Sequence, residues 1–145
     1  SERASRKLDW AARLHEIGCR ISHSDYHRHG AYILDHTDAA GFAMPELHRL
    51  GQLVLGQRGK VRKLDVDLED AGFALQLLCL RLAVALCHAR RDPDTEGLQL
   101  QLKGNRFLLA ARRGWAAGYP QSAHLLREEM LAWQKTPWEL VAELP

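Results

Sequence analysis

The sequence predicts a mainly α protein in which a helical body precedes a small β-β-α-β appendage. Apolar residues recur at helical spacing up to about residue 92. One long apolar segment, which begins near Leu68, is typical of a helix in the middle of a bundle. Strict alternation of apolar and polar residues then begins at "LQLQL" (98–102), which is typical of a strand. We therefore predict a helical domain over 1–93 and a small α+β subdomain over 94–145.

Three shorter helices are predicted before the long apolar segment. Leucine, isoleucine and alanine recur there every three or four positions, which would place them on one face of a helix. Pro45 suits the first turn of the third helix, because its fixed φ is compatible with a helix start. The predicted spans are 5–21, 28–36 and 45–55.

The fourth and longest helix is predicted over about 68–91. Asp67 is the expected N-cap, because its side chain could accept a hydrogen bond from the first turn. At the other end, Arg90 and Arg91 would lie beside the last carbonyl groups, and Asp92-Pro93 would stop the helix. We expect this helix in the centre of the bundle.

The appendage is predicted from the change of pattern after residue 93. The segments "LQLQL" and "RFLLAAR" flank the turn residues "KGN", which predicts a β-hairpin. "YPQSAHLLREEMLAWQK" is amphipathic and predicts a helix, and "WELVAEL" predicts a last short strand.

Composition argues against several classes of protein. The chain has 145 residues, of which 46% are hydrophobic and 26% charged, as in an ordinary globular domain. No apolar run approaches the roughly 20 residues that span a bilayer, and the charged first residues lack a signal-peptide core. We therefore expect a cytoplasmic protein with no membrane span. The net charge of +2 is too small to indicate a nucleic-acid partner.

The segment "LHEIGCRISHSDYHRHGAYIL" (14–34) contains four histidines and raises the question of a metal site. His15 and Glu16, side by side, could supply two ligands to a divalent cation. A partly buried, hydrogen-bonded histidine is the plainer interpretation of His15. Spacing alone leaves both open, since further carboxylates would be needed for a hydrolytic metal site.

A second candidate site combines arginine, lysine and imidazole donors. Arginine binds phosphate bidentately and lysine acts as a point charge, so these residues could line a groove for a polyanion. The alternative is a solvated surface loop. The candidate residues are His23, His27, Arg28 and His29, together with Arg58, Lys60, Arg62 and Lys63 of "QRGKVRK".

The segments "WAARLHEIGCRISHSDYHRHGAYIL", "DAAGF" and "LCLRLAVAL" resemble the C-terminal region of the exopolyphosphatase / guanosine pentaphosphate phosphohydrolase family. The combination of LHEIG, ISHS and YHRHGAYIL is specific, and the resemblance covers nearly the whole chain. It implies an HD-domain-like helical bundle that is N-terminally incomplete. It also implies an actin-like catalytic module upstream, which would hold the magnesium.

The resemblance further implies that the HD pocket is degenerate. In HD enzymes a His-Asp doublet and a later helical aspartate hold the metal. His15-Glu16 would take the place of the doublet and Val84 that of the later aspartate, and valine cannot coordinate a metal. We therefore expect neither a bound metal nor a catalytic residue in this chain.

What the resemblance implies for this chain is binding. It would be the polyphosphate-binding and dimerisation region of an exopolyphosphatase, an enzyme that releases terminal phosphate from inorganic polyphosphate. The histidine-rich segment favours that branch of the family. Three alternatives stay open: the same region of a guanosine pentaphosphate phosphohydrolase, an autonomous HD-type metal phosphohydrolase, and a purely structural dimerisation module.

Overall fold

The computed structural model describes residues 2–88 and 92–145. Its contacts divide the chain into two compact units, Ser1–Gly59 with Leu64–Arg81 and Lys60–Lys63 with Leu82–Pro145. The division falls inside the longest helix. The domain boundary predicted at residue 93 stays a prediction.

The first unit consists of helices joined by short turns. Helix α1 spans Glu2–Leu14, a 3-10 turn covers Ile17–Arg20, α2 spans Tyr26–Asp35 and α3 spans Met44–Leu55. The second and third predicted helices are therefore confirmed, each within two residues at both ends. Pro45 lies in the first turn of α3, as predicted.

The first predicted helix was too long at its C-terminal end. Helix α1 ends at Leu14, and the chain turns before the 3-10 segment that contains Gly18. Gly18 lies so close to α2 that a Cβ there would be 1.8 Å from the Tyr26 carbonyl oxygen. This tertiary contact overrides the helical spacing of the sequence.

Helix α4 spans Ala71–Leu86, so both predicted ends were wrong. Asp67 accepts a hydrogen bond from the Glu69 N–H at 3.0 Å and closes a local turn. Asp70 is the residue that caps α4, because its Oδ1 accepts the Phe73 N–H at 3.1 Å. At the other end α4 stops at Leu86, and the predicted positions of Arg90 and Arg91 fall outside the described residues.

A buried polar side chain, that of Gln76, connects α4 to its neighbours in the first unit. Gln76 donates from Nε2 to the Ala4 carbonyl oxygen of α1 at 2.9 Å, and its Oε1 accepts a hydrogen bond from Arg49 Nε of α3 at 3.0 Å. Around this side chain lies an apolar core that follows the predicted inner stripes. Its members include Leu47, Leu50, Leu53, Val54, Leu77 and Leu78, all of them buried.

The second unit contains a three-stranded sheet in the order β1-β2-β3. The predicted hairpin is confirmed: β1 (Leu98–Lys103) pairs antiparallel with β2 (Arg106–Ala111). Gly104, at φ 62°, supplies the left-handed conformation that this two-residue turn requires. The predicted last strand is also confirmed as β3 (Glu139–Glu143), which runs parallel to β2.

Two helices connect β2 to β3. The predicted amphipathic helix is α6 (Pro120–Ala132), and a short α5 (Trp115–Gly118) precedes it without having been predicted. Phe107 of β2 and Trp133, just after α6, are both buried, with their ring centroids 5.8 Å apart. The sheet and α6 thus share one core.

The predicted fold class is confirmed at the coarse level, as a mainly α chain with a small three-stranded sheet. Likeness to HD domains stays a prediction. Among the described residues, no helix combines the length and the apolar character that crossing a membrane requires.

We predict that Asp70→Ala lowers the free energy of unfolding by about 1–2 kcal/mol at neutral pH, through loss of the α4 cap. The pKa of Asp70 is held below its ordinary value, first by the Phe73 N–H and then by Arg49. Its stabilising effect is therefore complete above the unfolded-state pKa and is lost as the pH falls through the lower folded-state pKa. Denaturant unfolding of both proteins as a function of pH measures this.

The matched control is Asp67→Ala, which removes the same charge from an exposed turn outside the helix. Asp67→Ala should lower the free energy of unfolding much less than Asp70→Ala does at neutral pH. Equal costs for the two variants would contradict the assignment of the cap. So would a cost of Asp70→Ala that stays unchanged in strong acid.

Candidate functional site

The candidate site begins at the turn Gly56–Gly59, which follows α3 and is held by two buried polar side chains. Arg81 of α4, only 6% exposed, donates to the carbonyl oxygens of Gly56 and Gly59 at 2.7 and 2.8 Å. Gln57, 3% exposed, donates from Nε2 to the carbonyl oxygens of His15 and Val54 at 2.6 and 3.0 Å. The backbone on both sides of Arg58 is therefore fixed.

The Arg58 side chain extends from this turn to the start of α2. Its guanidinium carbon lies 5.4 Å from the centroid of the Tyr26 ring, within the range of a cation–π contact. The His23 ring stacks on Tyr26 as well, with centroids 5.7 Å apart and planes 27° apart. Cys19 Sγ lies 3.9 Å from His23 Nδ1. Tyr26 thus links an imidazole and a guanidinium.

His27, the next residue of α2, has a half-buried imidazole. Within residues 2–88 and 92–145, its Nδ1 is buried without a hydrogen-bond partner. Burial lowers the pKa of His27 below its ordinary value of 6.5, and the positive charges of Arg58 and Arg28 lower it further, against an opposing effect of Asp25. His27 is therefore mainly neutral at pH 7, with two permanent cations close by.

Five of the eight predicted phosphate-binding residues lie in the first unit, and we call them the His–Arg surface. They are His23, His27, Arg28, His29 and Arg58. His23 precedes α2, and the Tyr26 ring contacts both the His23 and the His27 rings. The other three predicted residues, Lys60, Arg62 and Lys63, are exposed and belong to the second unit.

The two arginines of the His–Arg surface have no carboxylate partner within the described ranges. Some other arginines are paired with acid, as in Arg13–Asp9 at 3.1 Å and Arg49–Asp70 at 3.1 Å. Among residues 2–88 and 92–145, neither Arg28 nor Arg58 forms a salt bridge. Their charge is therefore available to an anion from outside the chain.

Residues of the predicted degenerate HD pocket are placed as follows. His15 Nδ1 contacts the Ala12 carbonyl oxygen, and its Nε2 lies 3.7 Å from a Glu16 carboxylate oxygen. Val84 is half-buried in α4 and belongs to the second unit. In the described ranges no three His, Cys, Asp or Glu side chains come together as a metal-binding group. The alternative of an HD-type metal phosphohydrolase has no ligand set in that part of the chain.

Sequence reasoning missed three residues that shape the site: Tyr26, Gln57 as a buried anchor, and Arg81. Tyr26 stood inside the histidine-rich motif, and an aromatic residue among imidazole and guanidinium groups was a usable signal. Arg81 interrupts the most apolar run of the chain, which signalled a buried cation in need of partners.

Comparison with known proteins identifies the family. A family model described as "Ppx/GppA phosphatase, domain III" matches residues 1–134. The chain belongs to the Ppx/GppA phosphatase family. All five residues of the His–Arg surface lie within the region that corresponds to domain III of this family.

Individual Ppx/GppA relatives give the same assignment, and each of the following is named guanosine-5'-triphosphate,3'-diphosphate pyrophosphatase. The protein of Pseudoalteromonas translucida is 31% identical over 137 residues, covering 92% of this chain and 28% of the relative. That of Vibrio atlanticus is 33% identical over 139 residues, covering 94% and 28%. That of Photobacterium profundum is 31% identical over 134 residues, covering 90% and 27%. The chain spans little more than a quarter of these relatives.

We predict that the pKa of His27 lies below 6.5 and rises in the Arg58→Ala variant, because a nearby positive charge is removed. It should stay below 6.5 in the variant, since burial is the larger cause. Titration of the imidazole nitrogens by NMR measures both values. Arg13→Ala, which removes an equal charge already paired with Asp9, is the control and should leave His27 unchanged. An unperturbed His27 in the starting protein would contradict this account.

Proposed function

We propose that the chain is the polyphosphate-binding region of an exopolyphosphatase of the Ppx/GppA family. The observation that carries the proposal is the His–Arg surface, where Arg28 and Arg58, neither of them in a salt bridge within the described residues, lie close enough to His27 to influence its charge. Arginine is suited to this ligand because its planar guanidinium donates two parallel hydrogen bonds to one phosphate group.

The charge of the ligand suits a surface of this composition. A linear polyphosphate carries about one negative charge per phosphate, so successive groups could meet Arg28, Arg58 and the imidazoles in turn. Binding of this kind releases counterions from the polyanion, and affinity therefore falls steeply with salt. Lys60, Arg62 and Lys63 would attract the same polymer as point charges.

His27 adds a dependence on pH to this proposal. Its pKa is lowered by burial and by Arg58 and Arg28, and a bound phosphate would offset those positive charges. The protonated imidazole then becomes more favourable in the complex than in the free protein, so binding takes up a proton. Affinity should increase as the pH falls through the range where His27 titrates.

In the whole protein, the proposed role of this region is to hold a long substrate rather than to cleave it. An actin-like module upstream, with magnesium, would supply the catalysis, and this region would also contribute to a homodimer. A chain held at a distance from the active site has a raised effective concentration there. Repeated cleavage without release of the polymer would follow from binding alone.

A second candidate is the same role with guanosine pentaphosphate as the preferred ligand. The observation in its favour is the name of the relatives, guanosine-5'-triphosphate,3'-diphosphate pyrophosphatase. Both ligands present closely spaced phosphates to arginine, and they differ in length and in the presence of a nucleoside. Competition between them therefore separates the two candidates.

We predict that long-chain inorganic polyphosphate binds the chain, and that Arg28→Ala and Arg58→Ala each weaken binding by about tenfold, the cost of losing a charge-assisted hydrogen bond. Calorimetric titration at several salt concentrations measures this. The slope of log affinity against log salt should be shallower in each variant, because fewer phosphates are neutralised. The same titrations at lower pH should show tighter binding to the starting protein.

Arg13→Ala is the matched control, since it removes the same charge from a surface arginine that is paired with Asp9. It should bind polyphosphate nearly as well as the starting protein. Equal losses in all three variants would point to general charge attraction and contradict the site. Binding of guanosine pentaphosphate in preference to polyphosphate would favour the second candidate. If neither ligand binds or raises the thermal stability of the chain, both candidates are contradicted and the result favours the alternative of a purely structural dimerisation module.

A further inference from the structure

The position of Arg58 is fixed at two levels, and the first is its backbone. Arg81 donates to the carbonyl oxygens of Gly56 and Gly59, which are two residues before and one residue after Arg58. Gln57, between them, is tied to Val54 and His15 by its side-chain amide. An exposed arginine therefore extends from a turn that is anchored in the core of the first unit.

The second level is the contact of the side chain with Tyr26. An arginine side chain in water samples many rotamers, and a ligand that binds it must first restrict them. The Tyr26 ring, 5.4 Å from the Arg58 guanidinium carbon, restricts them in the free protein. Tyr26 is itself positioned, because it is half-buried as the first residue of α2 and stacks with His23.

We infer that Tyr26 is a positioning residue, whose ring holds the Arg58 guanidinium ready for a phosphate group of the ligand. The inference rests on the proposed function and adds a residue that does not itself bind phosphate. Tyr26 acts through Arg58, so its contribution exists only while Arg58 is present. The ring is the active part, and the phenol oxygen has no role in it.

The test compares Tyr26→Leu with Tyr26→Phe in titrations with long-chain inorganic polyphosphate. Tyr26→Leu removes the ring and should weaken binding by about two- to fivefold, which is the scale of an exposed cation–π contact. Tyr26→Phe keeps the ring and should bind as the starting protein does. Tyr32→Leu, at an exposed tyrosine of the same helix, is the control and should leave the affinity unchanged.

A double-mutant cycle separates positioning from a general structural role. In an Arg58→Ala background, Tyr26→Leu should cause no further loss of affinity, because the group that Tyr26 positions is gone. An equal loss in both backgrounds would overturn the inference. A loss in Tyr26→Phe as large as that in Tyr26→Leu would also overturn it, since it would assign the effect to the hydroxyl group.

Two further results keep this inference distinguishable from the proposed function. If the starting protein binds no polyphosphate, the proposed function fails first. If it binds, and Arg58→Ala weakens binding while Tyr26→Leu does not, only the role of Tyr26 is overturned. Should Tyr26→Leu fail to fold, NMR of the starting protein decides: a nuclear Overhauser contact between Arg58 side-chain protons and the Tyr26 ring is expected, and its absence would overturn the inference.

Discussion

The buried guanidinium of Arg81, bonded to the carbonyl oxygens of Gly56 and Gly59, is the interaction on which the candidate site depends. A buried guanidinium without partners costs several kcal/mol, and turn carbonyl groups without donors are costly as well. Here the guanidinium donates hydrogen bonds to both carbonyl groups, so donor and acceptors have partners. The consequence reaches the surface, because the same turn carries Arg58. The hydrogen bonds of Arg81 in the interior thus determine where the cationic Arg58 side chain lies on the surface.

The other half of the site depends on close approach between backbones. A Cβ at Gly18 would lie 1.8 Å from the Tyr26 carbonyl oxygen, and one at Gly30 would lie 2.8 Å from Val54 Cγ1. Only glycine therefore lets α2 pack this closely against both the preceding 3-10 turn and α3. This packing positions the first turn of α2, from which the Tyr26 ring reaches the Arg58 side chain.

Those features that arise from local sequence could be predicted, and those that arise from tertiary contacts could not. Alternating residues around a glycine turn were enough to predict the hairpin, because strand pairing across a short turn is local. The cap of α4 was misplaced because Asp67 and Asp70 are both acceptable caps, and only Asp70 also meets Arg49 of α3. The partners of Arg81 lie more than 20 residues away in the chain. The sequence pattern alone could therefore indicate that Arg81 is a buried cation, but not which carbonyl groups accept its hydrogen bonds.

The central claim is that the His–Arg surface binds phosphate chains, and NMR mapping during titration with inorganic polyphosphate tests it most directly. The account predicts that the Arg58 Nε–H and the ring signals of His23 and His27 shift together and saturate together. His124, which lies near Glu128 on α6, should remain unchanged. The largest shifts on residues outside the His–Arg surface, or no shifts at any ligand concentration, would contradict the account.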